Sequence, residues 1–216
     1  MINKEIPSLN SRINNINLKI FEHGILTAGK EWTFHNLSSP FDRLYFITSG
    51  SANISGKDGS IDLCHSNAYL IPLNNAYTYN CTDRLEKFYI HFRLEYAPGF
   101  DLFEGCKTIG ALSFSHNDTI KLIELANSHE LSAYVTLKGL LMKTMGEFLS
   151  SMKIPLSDQV QLGNKYMKLY RFLNENCNAQ LRVNDLAEHL GKSASGLSKN
   201  FKNDTGITLA STYFLY

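Results

Sequence analysis

The chain has 216 residues, a formal net charge of +1 and 44% hydrophobic residues. This length allows one large domain or two small ones, and the near-zero charge does not mark a nucleic-acid binder. No stretch approaches the roughly 18 apolar residues that span a bilayer, and the N-terminus lacks the apolar core of a signal peptide. The four cysteines show no CxxC spacing, which favours free thiols over a zinc site. These features predict a cytoplasmic protein.

The first half of the chain, about 18–103, alternates with a period of two and is interrupted by turns. Gly56-Lys57-Asp58-Gly59 is a hairpin signal between two such runs. Another run ends at Pro72, which a central strand would not tolerate. Many short strands at close spacing are typical of a small antiparallel barrel or sandwich. The predicted strands include 44–48, 52–55, 60–63, 68–71, 76–80 and 86–94.

The run 86–94 separates into two faces. Phe88, Ile90, Phe92 and Leu94 form the apolar face, and Lys87, Tyr89, His91 and Arg93 form the other face. The second face either meets solvent or lines the mouth of the barrel, where Tyr77 and Tyr79 of the preceding strand would join it. An aromatic wall with a few hydrogen-bonding groups suits a sugar or a related polar metabolite.

After about Asn117 the pattern becomes helical. Asn117 or Asp118 is predicted to cap a helix through Asn127, and Ser132 a longer helix to about Met152 that Pro155 ends. A third helix is predicted over roughly 157–176.

Apolar residues recur at threes and fours along the second of these helices. Such a stripe packs either on its own domain or against a second copy of the chain. The second alternative predicts a homodimer with a seam that includes Leu137, Leu141, Met145 and Phe148.

Residues 181–206 predict a helix, a sharp turn and a second helix. Gly191 suits a left-handed residue that ends the first helix, and Ser193 suits the N-cap of the second. Leu197 and Phe201, four residues apart, give the second helix its buried side. Helix pairs of this kind occur in many α proteins, and they are also the geometry of DNA-binding helix-turn-helix units. The outward side chains suited to base edges and phosphates are Ser195, Ser198, Lys199 and Lys202.

Segment 186–206 resembles the first helix-turn-helix of AraC-type transcription regulators. It departs from that pattern at Gly196, where a bulky residue is usual, and at Asn200, where an apolar residue is usual. The β half is similar to the cupin-type effector domain that precedes the DNA-binding part of those regulators, through Tyr69-Leu70-Ile71-Pro72 and Ile90-His91-Phe92. The matching residues of the helical segment are Leu186-Ala187, Leu190-Gly191, Ser193, Leu197-Ser198, Phe201-Lys202 and Thr205-Gly206.

The resemblance covers nearly the whole chain. It implies a two-part α+β fold, with a β-barrel first and an all-α region after it. A cupin-like antiparallel β-barrel that binds an effector would span residues 1–116. A helical linker that dimerises would span 117–155, and the first helix-turn-helix would span 156–216. The second such unit of the family would lie beyond Tyr216, which implies weak operator binding by these 216 residues alone. The implied partners are double-stranded DNA and a small molecule. The resemblance implies effector binding by Trp32, His35, Tyr79, Lys87 and Tyr89, with Trp32 as a stacking ring or, alternatively, a core residue. Tyr77 joins this predicted site because it shares a strand face with Tyr79.

A cupin metalloenzyme, such as an isomerase or dioxygenase with a helical tail, is the alternative from a different class. Its metal would need a His-x-His pair with a carboxylate and a further histidine. No two of the seven histidines are separated by one residue. The chain is therefore not expected to be an enzyme, and no metal, other cofactor or catalytic residue is predicted. A third reading is a sensor or dimerisation fragment that does not bind DNA.

Overall fold

A computed structural model describes residues 16–97, 100–154, 165–173, 176, 181–205 and 208–209. Within these ranges the chain forms nine strands followed by five helices, so the predicted order of a β part and an α part is confirmed. The strands are β1 (Asn17–Ala28), β2 (Phe34–Leu37), β3 (Asp42–Gly56), β4 (Gly59–Cys64), β5 (Asn67–Ile71), β6 (Tyr77–Asn80), β7 (Leu85–Ala97), β8 (Phe100–Asp101) and β9 (Gly110–Ser113). The helices are α1 (His116–Asn127), α2 (Leu131–Ser151), α3 (165–173), α4 (Val183–His189) and α5 (Ala194–Thr205).

The chain divides into two compact units. The β-rich unit contains Leu18–Arg93 and Phe103–Ile154, and therefore includes α1 and α2. The helical unit contains Leu94–Leu102 and the chain from Pro155 onward, together with the residues through Asn17. This division differs from the predicted boundaries in three places. The proposed linker 117–155 groups with the sheet through Ile154, and the segment 94–102 and the residues through Asn17 group with the helices.

β3 is the central strand of the β-rich unit and changes partners along its length. Its first part pairs antiparallel with β5 and β7, and its later part pairs with β4 and β6. Gly56 pairs with Gly59 across the turn Lys57-Asp58, which is the hairpin predicted from the sequence. β1 and β9 lie at the ends of the path β1-β7-β3-β5-β9, so the antiparallel sheet is open along that path.

The strand register places polar and aromatic side chains together on one face. Tyr45 lies opposite both Tyr69 and Tyr89, and Arg43 lies opposite His91. Directly opposite residues share a face, and alternate residues point to the other one. The polar face is covered at Lys87, which is only 2% exposed, whereas Tyr89 and His91 on the same face are partly exposed. The other face is apolar and includes Leu44, Phe46, Ala68, Leu70, Phe88, Ile90 and Phe92.

Helices α1 and α2 begin earlier than the sequence predicted. Ser115 is the N-cap of α1, and its Oγ accepts a hydrogen bond from the backbone N–H of Asp118 at 3.1 Å. α2 follows Glu130, whose side chain makes no capping bond. The predicted caps Asn117, Asp118 and Ser132 were therefore wrong, although α1 ends at Asn127 as predicted.

α2 packs closely on β9. The backbone of Gly110 approaches the helix so nearly that a Cβ there would lie 2.6 Å from Met152 Sδ and 2.8 Å from Phe148 Cδ1. The four residues assigned to a dimer seam are buried within the chain itself, which corrects that assignment in favour of packing on their own unit. These residues are Leu137, Leu141, Met145 and Phe148.

The helical unit has its own aromatic core. Phe201 of α5 is fully buried and makes edge-to-face contacts with Tyr166 and Tyr170 of α3, at centroid distances of 4.9 and 6.4 Å. Phe100 of β8 stacks on Tyr166 at 6.2 Å, and Leu197 is buried in the same cluster. The remainder of the predicted third helix over 157–176, apart from α3 and Asn176, lies outside the described residues, as does Gly206.

Candidate functional site: a cationic aromatic interior and an exposed helix

Lys87 lies in the interior of the β-rich unit among aromatic rings. Its Nζ is 3.1 Å from the ring centroid of Tyr45, 4.5 Å from that of Trp32 and 5.9 Å from that of Tyr89. Trp32 is 7% exposed and contacts Tyr79 edge to face at 5.2 Å. Four of the six predicted effector-binding residues therefore belong to one cluster, namely Trp32, Tyr79, Lys87 and Tyr89.

Arg43 brings a second buried cation to this interior. Its guanidinium donates a hydrogen bond to Tyr79 Oη at 2.7 Å and another to Ser39 Oγ, and it lies over the rings of Tyr79 and Phe41. The side chain is 6% exposed. Sequence analysis missed both Arg43 and Tyr45, although they alternate in phase on one strand and so share its inward face.

Neither buried cation has an acidic partner in the part of the chain that the structure describes. Among the described residues, no ion pair includes Arg43 or Lys87. Burial, and secondarily the nearby charge of Arg43, lowers the pKa of Lys87 well below its ordinary value. An unpaired buried ammonium is costly, and an anion brought into this interior would offset the cost by supplying the opposite charge. The arrangement is suited to a carboxylate with rings packed around it.

Glu22 of β1 joins Tyr89 and His91 at the exposed end of this interior. Tyr89 Oη donates to Glu22 Oε1 at 2.9 Å, and His91 Nδ1 lies 2.9 Å from Glu22 Oε2. The hydrogen bond from Tyr89 is the largest cause that lowers the pKa of Glu22, and the one with His91 is the next. Burial lowers the pKa of His91. Gly24 leaves room for the Tyr89 ring, since a Cβ there would lie 3.2 Å from Tyr89 Oη.

The other two predicted effector residues, His35 and Tyr77, differ from each other in burial. His35 is exposed on β2. Tyr77 belongs to the same apolar cluster as Tyr79, but it also borders a cleft near the β3–β4 hairpin, and its Oη donates to the carbonyl of Lys107 at 3.0 Å.

Helix α5 presents a polar surface at the exposed side of the helical unit. The turn before it contains Gly191 with φ of +62°, the left-handed conformation predicted for the end of α4. Ser193 Oγ accepts a hydrogen bond from the backbone N–H of Gly196 at 3.2 Å, as expected of an N-cap. Gly196 fits this cap, because a Cβ there would lie 2.7 Å from Ser193 Oγ. Of the four predicted DNA-contacting residues, Ser195, Lys199 and Lys202 are exposed and Ser198 is partly exposed.

Asp204 fixes the far end of α5 to α3. Its Oδ2 accepts hydrogen bonds from Lys165 Nζ at 2.6 Å and from Tyr166 Oη. The bond from Lys165 is the main cause that lowers the pKa of the Asp204 carboxyl. The end of α5 is thus held by a charged contact as well as by the packing of Phe201.

Two further observations apply to the described ranges only. No group of three or more histidine, cysteine, aspartate or glutamate side chains there is arranged to hold a metal ion. No helix in the same ranges is both long and apolar enough to cross a membrane.

No family model and no curated protein matches the chain. Among solved structures it is similar to ToxT from Vibrio cholerae, at 16% identity over 90% of this chain and 79% of ToxT, with a TM-score of 0.47. ToxT bound to (E)-4-(8-methylnaphthalen-1-yl)but-3-enoic acid gives 16% identity over 90% and 80% of the two chains, with a TM-score of 0.48. ToxT bound to an unsaturated fatty acid gives 13% identity over 92% of this chain and 76% of ToxT, with a TM-score of 0.43. At these values the likeness assigns neither a family nor a function to this chain.

Proposed function

We propose that this protein is a transcription regulator of AraC type, in which a cupin-like β domain senses a small molecule and helices α4 and α5 bind double-stranded DNA. The observation that carries the proposal is the α4–α5 pair. It combines a left-handed Gly191, a capping Ser193 and a buried Leu197 and Phe201 with a second helix whose outer side is polar and basic. An exposed helix of this kind fits the major groove, where lysines contact phosphates and serines reach base edges.

The proposed effector is a small carboxylate. The buried Arg43 and Lys87 have no acidic partner in the described part of the chain, and Trp32, Tyr45 and Tyr79 surround them. A neutral sugar would leave both cations unpaired, whereas a sugar acid would retain the polar character predicted from the sequence and supply the missing charge.

The DNA-binding assignment predicts a specific salt dependence. Lys199→Ala and Lys202→Ala should each weaken binding to a labelled mixed-sequence duplex and lower the slope of log affinity against log salt by about 1, because each removes one phosphate contact. Fluorescence anisotropy at salt concentrations between about 50 and 200 mM measures both quantities. Lys121→Ala, an exposed lysine of α1, is the matched control and should bind as the wild type does. Equal slopes for all four proteins would contradict the assignment.

We also propose a homodimer, now at a different surface of α2. Leu131, Tyr134 and Val135 lie on one side of the helix and are 76%, 46% and 67% exposed. Exposed apolar side chains that lie together favour an interface. A regulator that reads paired half-sites needs two copies.

The dimer surface is tested by Leu131→Glu combined with Val135→Glu. The double variant is expected to sediment as a folded monomer, because its charges would be buried without partners in the interface. The helix itself should persist, since both positions are exposed in the single chain. A wild-type chain that is monomeric at micromolar concentration, or a variant that remains dimeric, would exclude this surface.

A further inference from the structure

Two histidine side chains that none of the functions proposed above uses lie side by side on the surface of the β-rich unit. His65 lies in the turn between β4 and β5, and His116 is the first residue of α1. Their ring centroids are 5.5 Å apart, and their ring planes are inclined by 34°. Both residues are exposed, so a dissolved ion can reach the pair. Sequence spacing did not reveal it, because the two positions are 51 residues apart.

The backbone fixes the two segments that contain these histidines. β5 and β9 pair antiparallel, with Asn67 opposite Ser113. The backbone N–H of Phe114 then donates to the carbonyl of Ser66 at 3.0 Å. All four residues lie within three positions of one of the histidines. The sheet therefore sets the distance between the turn and the start of α1, and the rings need not hold each other in place.

Each ring has a nitrogen that is available to a metal ion. Nδ1 of His65 lies 2.8 Å from Ser66 Oγ. With the proton on Nδ1, the ring donates to this hydroxyl and Nε2 keeps a free lone pair, which is how the second nitrogen of a metal-binding histidine is commonly used. Within the described residues, His116 makes no hydrogen bond or ion pair, and its ring contacts that of His65.

The separation of the rings fits a shared metal ion. Imidazole nitrogens bind Zn²⁺ at about 2.0–2.1 Å, so two histidines on one tetrahedral ion have ring centroids about 5 Å apart. The observed 5.5 Å requires only a small rotation of an exposed side chain. Water would complete the coordination, since no group of three or more potential ligands is arranged to hold a metal in the described ranges.

The start of α1 is compatible with a bound cation. The N-terminus of a helix carries a partial positive charge, which by itself disfavours a cation. Asp118 in the first turn of α1 brings a carboxylate to this end, where its Oδ2 accepts a hydrogen bond from Ser115 Oγ at 2.6 Å. The negative charge of Asp118 offsets that of the helix end.

We propose that His65 and His116 together bind one Zn²⁺ ion on the surface of the β-rich unit, and that Ser66 orients the ring of His65. The site shares no residue with the interior around Lys87 and does not depend on DNA binding. Because it has two protein ligands rather than the four of a structural zinc site, its ion exchanges with the solution. A bound ion would join the β4–β5 turn to α1 and stabilise the folded unit by mass action.

Calorimetric titration of the full chain, free of any affinity tag, with zinc chloride tests the proposal. We expect one ion per chain. His65→Ala and His116→Ala should each weaken binding at least tenfold, because a single imidazole loses the chelate. Ser66→Ala should weaken it less, since both ligands remain. Magnesium chloride should give no binding, because Mg²⁺ prefers oxygen ligands.

The thermal unfolding midpoint, followed by the fluorescence of Trp32, should rise with zinc in the wild type and not in the two histidine variants. Circular dichroism verifies that each variant is folded.

Two control variants separate this pair from other potential ligands. His129→Ala removes an exposed histidine between α1 and α2, and Cys64→Ser removes the exposed thiol next to His65. Both should bind Zn²⁺ as the wild type does. The proposal is overturned if the wild type binds no Zn²⁺ at millimolar concentration, or if the folded His65→Ala and His116→Ala variants bind normally. Loss of binding in Cys64→Ser would overturn the assignment of the ligands to the two imidazoles.

Discussion

Phe201→Ala is expected to lower the free energy of unfolding of the helical unit by about 3 to 5 kcal/mol, the usual cost of removing a buried aromatic ring. The ring is 0% exposed and contacts both Tyr166 and Tyr170, so its loss leaves a cavity between α3 and α5. Urea denaturation followed by circular dichroism at the helical band should show an earlier transition. Binding to duplex DNA should fall at the same time, because α5 would no longer be held in place.

Ser195→Ala provides the matched control on the same helix. Its side chain is exposed, so the change in unfolding free energy should stay within about 0.5 kcal/mol. If Phe201→Ala is as stable as Ser195→Ala, the aromatic core of the helical unit does not form as described.

Lys87→Met is expected to have the opposite effect. It should raise the free energy of unfolding of the β-rich unit by about 1 to 4 kcal/mol, the range found when buried ion pairs are replaced by apolar groups. Methionine retains the length of the side chain among Trp32, Tyr45 and Tyr89 and removes an ammonium that has no acidic partner in the described ranges. A residue kept at a cost to stability is typical of a binding site. Thermal and urea unfolding followed by the fluorescence of Trp32, the only tryptophan, measure the change.

The effect of Lys87→Met should also depend on pH. The pKa of Lys87 is lower in the folded chain than in the unfolded chain, so the wild type gains stability as pH rises toward the unfolded value near 10.5. The variant lacks this group, and its advantage should shrink as pH rises. Lys138→Met, which changes an exposed lysine, should show neither effect. A destabilised Lys87→Met would mean that the ammonium supports the fold.

Local signals made several elements predictable. The hairpin at Lys57-Asp58, the left-handed Gly191 and the cap at Ser193 each depend on residues close together in the sequence, and all three have the predicted geometry. Strands β2 and β9 were not predicted, because each has four residues and is defined by pairing with a distant strand. The caps of α1 and α2 were wrong because several neighbouring polar residues were equally good candidates.

The interior site was only partly predictable. The alternation around Lys87 and Tyr89 identified a face, but alternation alone does not say whether a polar face is covered. Here that face of β7 is covered at Lys87 and partly exposed at Tyr89 and His91. Arg43 was missed because its role depends on the register that places β3 beside β7 and on Tyr79 of a third strand. The apolar stripe of α2 was equally ambiguous, since packing on a sheet and packing on a second chain require the same spacing.

The close approach of Gly110 to α2 constrains how this protein can change over evolution. The site has no space for a Cβ while Phe148 and Met152 keep their present positions. Gly110→Ala would therefore be tolerated together with a smaller residue at position 152, where the flexible thioether is the nearer contact, more readily than alone. Homologous chains should show covariation between these two positions, which are 42 residues apart in sequence. Such covariation would indicate that this pair of residues sets the distance between α2 and β9.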